Sequence, residues 1–146
     1  MKIPSLKERR VNILIVENDI VTGCQLAEML RRKGHDAVMV EELYCLDEIR
    51  ARGSVDMVIT DIFLSDISGL QIVLDVKEFD PGIKVVAMSG GGPALLFDYL
   101  DYAREFGADA VVRKPLDEAG VTRLLAQFPG MDAGQASLPR ACVGHF

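Results

Sequence analysis

Four short apolar runs in this chain end on side chains that can take part in chemistry. The run at residues 55–60 is typical of a strand buried on both faces, and it ends on Asp61. Chemistry in open parallel sheets collects at the carboxyl ends of strands, so Asp61 stands where a reactive group is expected. The other three runs end on an acidic cluster, a hydroxyl and an amine, which are Glu17 with Asn18 and Asp19, Ser89, and Lys114 before Pro115. Together these groups predict one site built from four strand ends.

Strand-like runs alternate with helical patterns along the chain, which favours an α/β fold with a parallel sheet. A short second strand near residues 37–40 brings the number of predicted βα units to five. Gly34 and Gly53 are placed to end the first two helices, and Asp117 is placed to cap the last. The helical patterns themselves rest on apolar residues that include Ile20, Leu43, Leu70, Leu96, Ala103, Phe106 and Val121.

The chain divides into three segments. Residues 1–10 form a basic arm, residues 11–128 hold the five βα units, and residues 129–146 are rich in Gly, Ala, Pro and Ser. Terminal segments of such composition carry too little apolar surface to fold on their own. We therefore expect one domain at residues 11–128, a flexible arm before it and a disordered tail after it.

The overall composition excludes several classes of protein. A net charge of −6 argues against a nucleic-acid-binding protein, which usually has a basic face. Cys24, Cys45 and Cys142 are odd in number and contain no Cys-x-x-Cys pair, which favours free thiols in a reducing cytoplasm. No apolar stretch approaches the ~18 residues of a membrane span. We expect a cytoplasmic protein without a membrane segment.

Four features resemble the receiver domain of two-component response regulators. They are the acidic cluster after the first strand, Asp61 followed eight residues later by Gly69, Ser89 ending the fourth strand, and Lys114-Pro115 after the fifth. Each feature is weak alone, but all four in order, each at a strand end, are specific. The resemblance covers about residues 10–128. It implies a flavodoxin-like doubly wound (βα)5 fold with a five-stranded parallel sheet in the order 2-1-3-4-5.

The resemblance also implies the chemistry of the site. Asp61 would take a phosphoryl group from a phosphohistidine, Lys114 would neutralise charge on the phosphoryl oxygens, and Ser89 would move toward them as a switch. A hard cation relieves repulsion among carboxylates. The implied Mg²⁺ ligands are Glu17, Asn18, Asp61 and the backbone carbonyl of Phe63, and the Lys114–Pro115 bond is expected to be cis.

Two positions depart from the family pattern. The family usually has two acids directly after the first strand, whereas this chain has Glu17 and Asn18. An amide oxygen carries no charge, so the affinity for metal should fall unless Asp19 compensates. The family also usually has Tyr or Phe three residues before the conserved lysine, where this chain has Val111. Whether Tyr99 or Tyr102 replaces that switch aromatic is left open.

The favoured hypothesis is a stand-alone receiver that is not an enzyme. Its partners would be a histidine kinase or histidine phosphotransfer protein and an unidentified downstream protein, with homodimerisation left open. The alternative, motivated by Asn18 and Val111, is a degenerate receiver that acts as an interaction module without phosphorylation. A flavin carrier fits poorly because the acids after the first strand repel phosphate. A dehalogenase-type phosphatase fits poorly because Phe63 stands where its second Asp would be.

Overall fold

The described residues of the chain form one parallel sheet covered by helices on both faces. The computed structural model describes residues 10–90 and 101–129. The sheet has five strands in the order β2-β1-β3-β4-β5, which confirms the predicted order. The strands are β1 (Asn12–Val16), β2 (Asp36–Met39), β3 (Met57–Asp61), β4 (Lys84–Ser89) and β5 (Ala110–Arg113). Every neighbouring pair is parallel, so all five carboxyl ends lie at one edge.

Helices connect successive strands, and local sequence sets where several of them begin and end. They are α1 (Ile20–Arg32), α2 (Cys45–Arg52), α3 (Gly69–Phe79), α4, whose described part is residues 101–105, and α5 (Glu118–Ala126). The Asp117 side chain accepts a hydrogen bond from Gly120 N, which confirms the predicted cap of α5. Gly34 and Gly53 follow α1 and α2 with φ of +94° and +73°, a region that glycine adopts without strain.

The core has two layers because the strands bury both faces. On β1, Ile13 and Ile15 face one layer, and Leu14 and Val16 face the other. The first layer is completed by side chains from α1 and α5, among them Leu26, Leu30, Val121, Leu124 and Leu125. The second is completed by side chains from α2 and α3, among them Ile49, Ile72, Val73 and Val76. Burial on both faces explains why these strands are continuous apolar runs in the sequence.

Some helical expectations need correction. Leu43 was expected on the buried face of the second helix, but it lies in a 3₁₀ turn (Glu42–Tyr44) with its side chain 57% exposed. The tighter 3₁₀ turn changes the helical phase before α2 begins at Cys45, so the apolar spacing does not continue across it. Phe106 was expected on the apolar stripe of the fourth helix, but it follows the helical residues and is 38% exposed.

Other expectations fall outside the described residues. These include Leu96, Tyr99, nearly all of the basic arm and nearly all of the tail. The arm and the tail therefore remain predictions. Within residues 10–90 and 101–129, no helix is long and apolar enough to cross a membrane.

Gly69, the first residue of α3, lies directly against the end of β3. Its N–H donates to Ile62 O at 2.8 Å. A Cβ at this position would overlap the carbonyl oxygen of Asp61 and would lie 2.7 Å from Ile62 Cα. These neighbours are backbone atoms that cannot rotate away. The spacing from Asp61 to Gly69 therefore reflects a loop that returns to the strand it left.

We expect Gly69→Ala to lower the free energy of unfolding by about 1–3 kcal/mol, because the end of β3 must shift to admit the methyl group. Urea denaturation followed by circular dichroism measures this loss. Gly90→Ala is the matched control, since within residues 10–90 and 101–129 a Cβ there meets no atom closer than Lys114 Cβ at 3.6 Å. The control should change by less than about 0.5 kcal/mol. Equal losses in the two variants would contradict the close-approach argument.

Candidate functional site

Two buried carboxylates converge on one ammonium group at the carboxyl edge of the sheet. Lys114 Nζ lies 2.7 Å from Glu17 Oε1 and donates a hydrogen bond to Asp61 Oδ2 at 2.8 Å. Glu17 and Asp61 are 8% and 6% exposed. Glu17 follows β1, Asp61 ends β3 and Lys114 follows β5. Three segments that are distant in sequence are thus brought together by the parallel sheet.

Ser89 lies between the strands that carry Asp61 and Lys114. It ends β4 and is fully buried. Lys114 N donates to Ser89 O at 2.9 Å, and Ile62 N donates to Met88 O at 2.9 Å, so backbone hydrogen bonds tie the end of β4 to both neighbours. The Lys114–Pro115 peptide bond is cis, as the resemblance implied.

The charges at this site are not balanced. Burial raises the pKa of Asp61, and the charge of Glu17 raises it further, while Lys114 acts in the opposite direction. Burial acts to lower the pKa of Lys114, but the hydrogen bond to Asp61 and the ion pairs with Asp61 and Glu17 outweigh it and raise that pKa. Among the described residues, buried Glu17 Oε1 accepts no well-formed hydrogen bond and is neutralised through its ion pair with Lys114. Two carboxylates facing one ammonium group favour a further cation.

The two residues after Glu17 have other contacts. The Asp19 side chain caps α1 by accepting hydrogen bonds from Val21 N at 3.2 Å and Thr22 Oγ1 at 2.6 Å. The bond from Thr22 lowers the pKa of Asp19. Asp19 is therefore committed to the start of the helix. This geometry gives no support to the idea that Asp19 compensates for the missing second acid.

Asn18 contacts the loop after β3. In the amide orientation that satisfies its partners, Asn18 donates to Glu42 Oε1 at 3.0 Å and accepts from Ser65 N at 3.0 Å and Ser65 Oγ at 3.1 Å. The amide is thus engaged on both its nitrogen and its oxygen. A role for Asn18 as a metal ligand stays a prediction.

The site offers a small set of hard oxygen donors. Across residues 10–90 and 101–129, no three His, Cys, Asp or Glu side chains form a metal-binding group. The donors beside Lys114 are the carboxylates of Glu17 and Asp61, and the backbone carbonyl of Phe63 follows two residues after Asp61. Mg²⁺ prefers oxygen ligands and usually keeps several waters. The donor set fits Mg²⁺, but it has one charge fewer than the pattern with two acids after the first strand.

Val111 occupies the position of the missing aromatic residue and packs among small aliphatic side chains. It lies against the cluster of Ile62, Ala87 and Ala103, which joins β3, β4 and α4. Tyr102 on α4 is 51% exposed. Tyr99 lies outside the described residues. No described aromatic ring therefore takes the place of Val111 in this cluster.

Sequence reasoning missed Glu42. Its carboxylate accepts hydrogen bonds from three successive N–H groups of the loop after β3, at 3.2 Å from Ser65, 2.8 Å from Asp66 and 2.8 Å from Ile67. These partners lie 23 to 25 positions away in the chain. An acidic residue in a loop is common, and no local pattern indicates so distant a contact.

The comparison with protein families decides the classification. Residues 13–126 match the response regulator receiver domain. The chain belongs to this family. It is 25% identical to the DNA-binding transcriptional regulator NtrC of Azospirillum brasilense, over 87% of this chain and 26% of that protein. It is 30% identical to the transcriptional regulatory protein TorR of Escherichia coli, over 73% of this chain and 44% of that protein.

Two solved structures share the fold. The CheY-like receiver domain from Methylobacillus flagellatus is 29% identical with a TM-score of 0.69, covering 80% of this chain and 96% of that one. NtrX from Brucella abortus is 26% identical with a TM-score of 0.71, covering 81% of this chain and 27% of that one. This chain spans about a quarter of the length of NtrC and less than half of the length of TorR.

We expect Asp61→Asn to stabilise the metal-free receiver at pH 7, because it removes a buried carboxylate whose pKa is raised. In EDTA the Tm should rise by a few degrees, which is about 1 kcal/mol for a domain of this size. Since the pKa of Asp61 is higher in the folded state, wild-type stability falls as pH rises above the ordinary Asp pKa of about 4 and through the folded value. The advantage of the variant should therefore shrink as pH falls toward 4.

Thermal denaturation across this pH range tests the expectation. Asp66→Asn removes the same charge from an exposed side chain in the neighbouring loop and should leave the Tm nearly unchanged. A lower Tm for Asp61→Asn at pH 7 would show that the Asp61 carboxylate stabilises the fold, contrary to the direction of its pKa shift.

Proposed function

We propose that the protein is a phosphoacceptor response regulator whose Asp61 receives a phosphoryl group from a histidine kinase or a histidine phosphotransfer protein. The observation that carries the proposal is the buried Asp61 carboxylate, 2.8 Å from Lys114 Nζ and beside a second acid, Glu17, at the carboxyl edge of the sheet. Membership of the receiver family supports the same role.

The transfer requires little covalent chemistry from the protein. A carboxylate oxygen of Asp61 attacks phosphorus, the O–P bond forms as the N–P bond of the phosphohistidine breaks, and the electron pair of that bond stays on the imidazole. Lys114 turns from the two carboxylates to the phosphoryl oxygens and stabilises their charge. Ser89, one strand away, then donates its hydroxyl to a phosphoryl oxygen and carries the end of β4 with it.

The expected cofactor is Mg²⁺. Receiver domains generally bind it at the phosphorylation site, where its charge offsets that of the carboxylates and the phosphoryl oxygens. In this chain we propose that Glu17, Asp61 and the carbonyl of Phe63 hold it. Lys114 Nζ contacts both carboxylates, and with Mg²⁺ bound its ammonium group would stabilise the phosphoryl oxygens.

The proposed action is signalling through protein contacts. NtrC and TorR are named as transcriptional regulators, and this chain spans only part of their length. Their activity on DNA is therefore not transferred to this chain. The proposed partners are the phosphoryl donor protein and a downstream protein that distinguishes the phosphorylated form.

Incubation with acetyl phosphate and Mg²⁺ should add the mass of one phosphoryl group to the wild-type chain. Asp61→Asn should abolish the gain, because an amide is not a nucleophile of this kind. Intact-mass spectrometry measures both, and Asp66→Asn is the control that keeps Asp61. An unmodified wild-type chain, or an undiminished gain in Asp61→Asn, would refute the proposal.

Ser89→Ala should separate phosphoryl uptake from the switch. The variant keeps Asp61 and Lys114, so its mass gain with acetyl phosphate should persist. Beryllofluoride with Mg²⁺ should shift the amide NMR signals of Gly90 and α4 by less than about half as much as in wild type. The reason is that the variant lacks the Ser89 hydroxyl, which would move toward the bound phosphoryl analogue. Ser54→Ala, at the opposite edge of the sheet, should leave those shifts intact. Full-sized shifts in Ser89→Ala would remove Ser89 from the switch.

A degenerate receiver that binds partners without phosphorylation is the second candidate. The engagement of the Asn18 amide by Glu42 and Ser65 favours it, because the site then lacks a ligand at that position. A Mg²⁺ titration separates the two functions. Millimolar or absent affinity, together with no phosphoryl uptake, would favour the degenerate receiver.

A further inference from the structure

The carboxylate of Glu42 has its hydrogen-bonding capacity filled by groups next to the site. Oε2 accepts from Asp66 N and Ile67 N, each at 2.8 Å. Oε1 accepts from Ser65 N at 3.2 Å and from the Asn18 amide at 3.0 Å. A carboxylate offers about four acceptor positions, so these four donors fill it, although the Ser65 N–H is shared with the Asn18 oxygen. Glu42 thus joins the loop after β1 to the loop after β3.

The loop that Glu42 binds is the one that extends Asp61 into α3. Phe63 precedes the bound N–H groups, and Ser68, which caps α3, follows them. Charge-assisted hydrogen bonds to three successive N–H groups fix the backbone of residues 65–67. The Phe63 carbonyl, two residues before Ser65, belongs to the same loop.

Asn18 and Glu42 form a matched pair. Glu42 Oε1 needs a donor, and the Asn18 amide supplies one while its oxygen accepts from Ser65. An aspartate at position 18 would place a second carboxylate about 3.0 Å from that of Glu42, and like charges this close repel. The Asn18 amide is thus complementary to the Glu42 carboxylate.

We propose that Glu42 is a positioning residue that fixes residues 63–67 beside Asp61 and commits the Asn18 amide to this loop instead of to a cation. The inference rests on the proposed function, because the geometry that Glu42 maintains is that of a phosphoacceptor site. The hydrogen bonds of Glu42 would then hold the loop in place, a role that a second acid after β1 would otherwise fill by binding the metal.

A double-mutant cycle in EDTA tests the pairing. Asn18→Asp places a second carboxylate against that of Glu42. Glu42→Gln places an amide N–H₂ group where Glu42 Oε1 accepts from Asn18 and Ser65. Each change should raise the unfolding equilibrium constant about tenfold. The double variant restores complementary groups, because the amide introduced at position 42 can donate to the carboxylate introduced at position 18, which still accepts from Ser65. Its unfolding constant should return to within about threefold of wild type. Additive losses in the double variant would overturn the pairing.

Amide exchange and Mg²⁺ binding test the positioning. In Glu42→Ala the amides of residues 65–67 should exchange at least about tenfold faster than in wild type. Mg²⁺ binding, followed by NMR, should weaken several-fold in Glu42→Ala, and Asn18→Ala should differ from wild type by less than about twofold. Glu41→Gln is the matched control for charge, since Glu41 is exposed and its side chain accepts no hydrogen bond from described residues.

The outcomes separate two failures. Equal Mg²⁺ affinities in Glu42→Ala and Glu41→Gln would show that Glu42 acts only through its charge, which would overturn the positioning role. A tenfold loss in Asn18→Ala would make Asn18 a ligand and overturn the proposal as well. A wild-type chain that takes no phosphoryl group refutes only the proposed function, because the cycle and the amide exchange are measured without metal or phosphoryl donor.

Discussion

The ion-pair network of Lys114 with Glu17 and Asp61 is the interaction on which the site depends. Buried carboxylates are costly without a partner, and one ammonium group lies within 2.8 Å of both. The network is possible only because the strands are parallel and in register, so that Asp61 pairs with Met88 and the end of β4 bonds to Lys114. The fold therefore places an excess of negative charge at one edge of the sheet, which favours a further cation there.

Much of this arrangement could be predicted from the sequence because parallel sheets give it simple rules. A buried strand is a continuous apolar run, so its end is visible where the run stops, as at Asp61 and Ser89. Since all carboxyl ends share one edge, residues distant in sequence could be assigned to one site. Gly69 was part of the family pattern, and its physical reason, contact with the backbone of Asp61 and Ile62, became visible only in three dimensions.

What could not be predicted is how the loops are held. Glu42 contacts Asn18 and residues 65–67 through hydrogen bonds between separate βα units, and no periodicity encodes such contacts. The same limitation explains Leu43, whose apolar side chain indicated a helix face but lies exposed in a 3₁₀ turn. That turn also begins with Glu42, so the break in helical phase coincides with the point where the chain contacts the loop after β3.

If Ser89 acts as the proposed switch, the aliphatic cluster around Val111 limits how its movement can reach α4. Within the described residues, Ser89 is bonded to β5 through its backbone, and Val111 of β5 packs on the cluster that contains Ala103 of α4. An aromatic ring at position 111 could change rotamer and signal by moving between two orientations. Valine is stiff at χ1, so a displacement of β4 has to move the backbone of β5 or the packing of Ala103. In the proposed switch, coupling would therefore run through close packing between strand and helix, because a core with little free volume transmits small shifts.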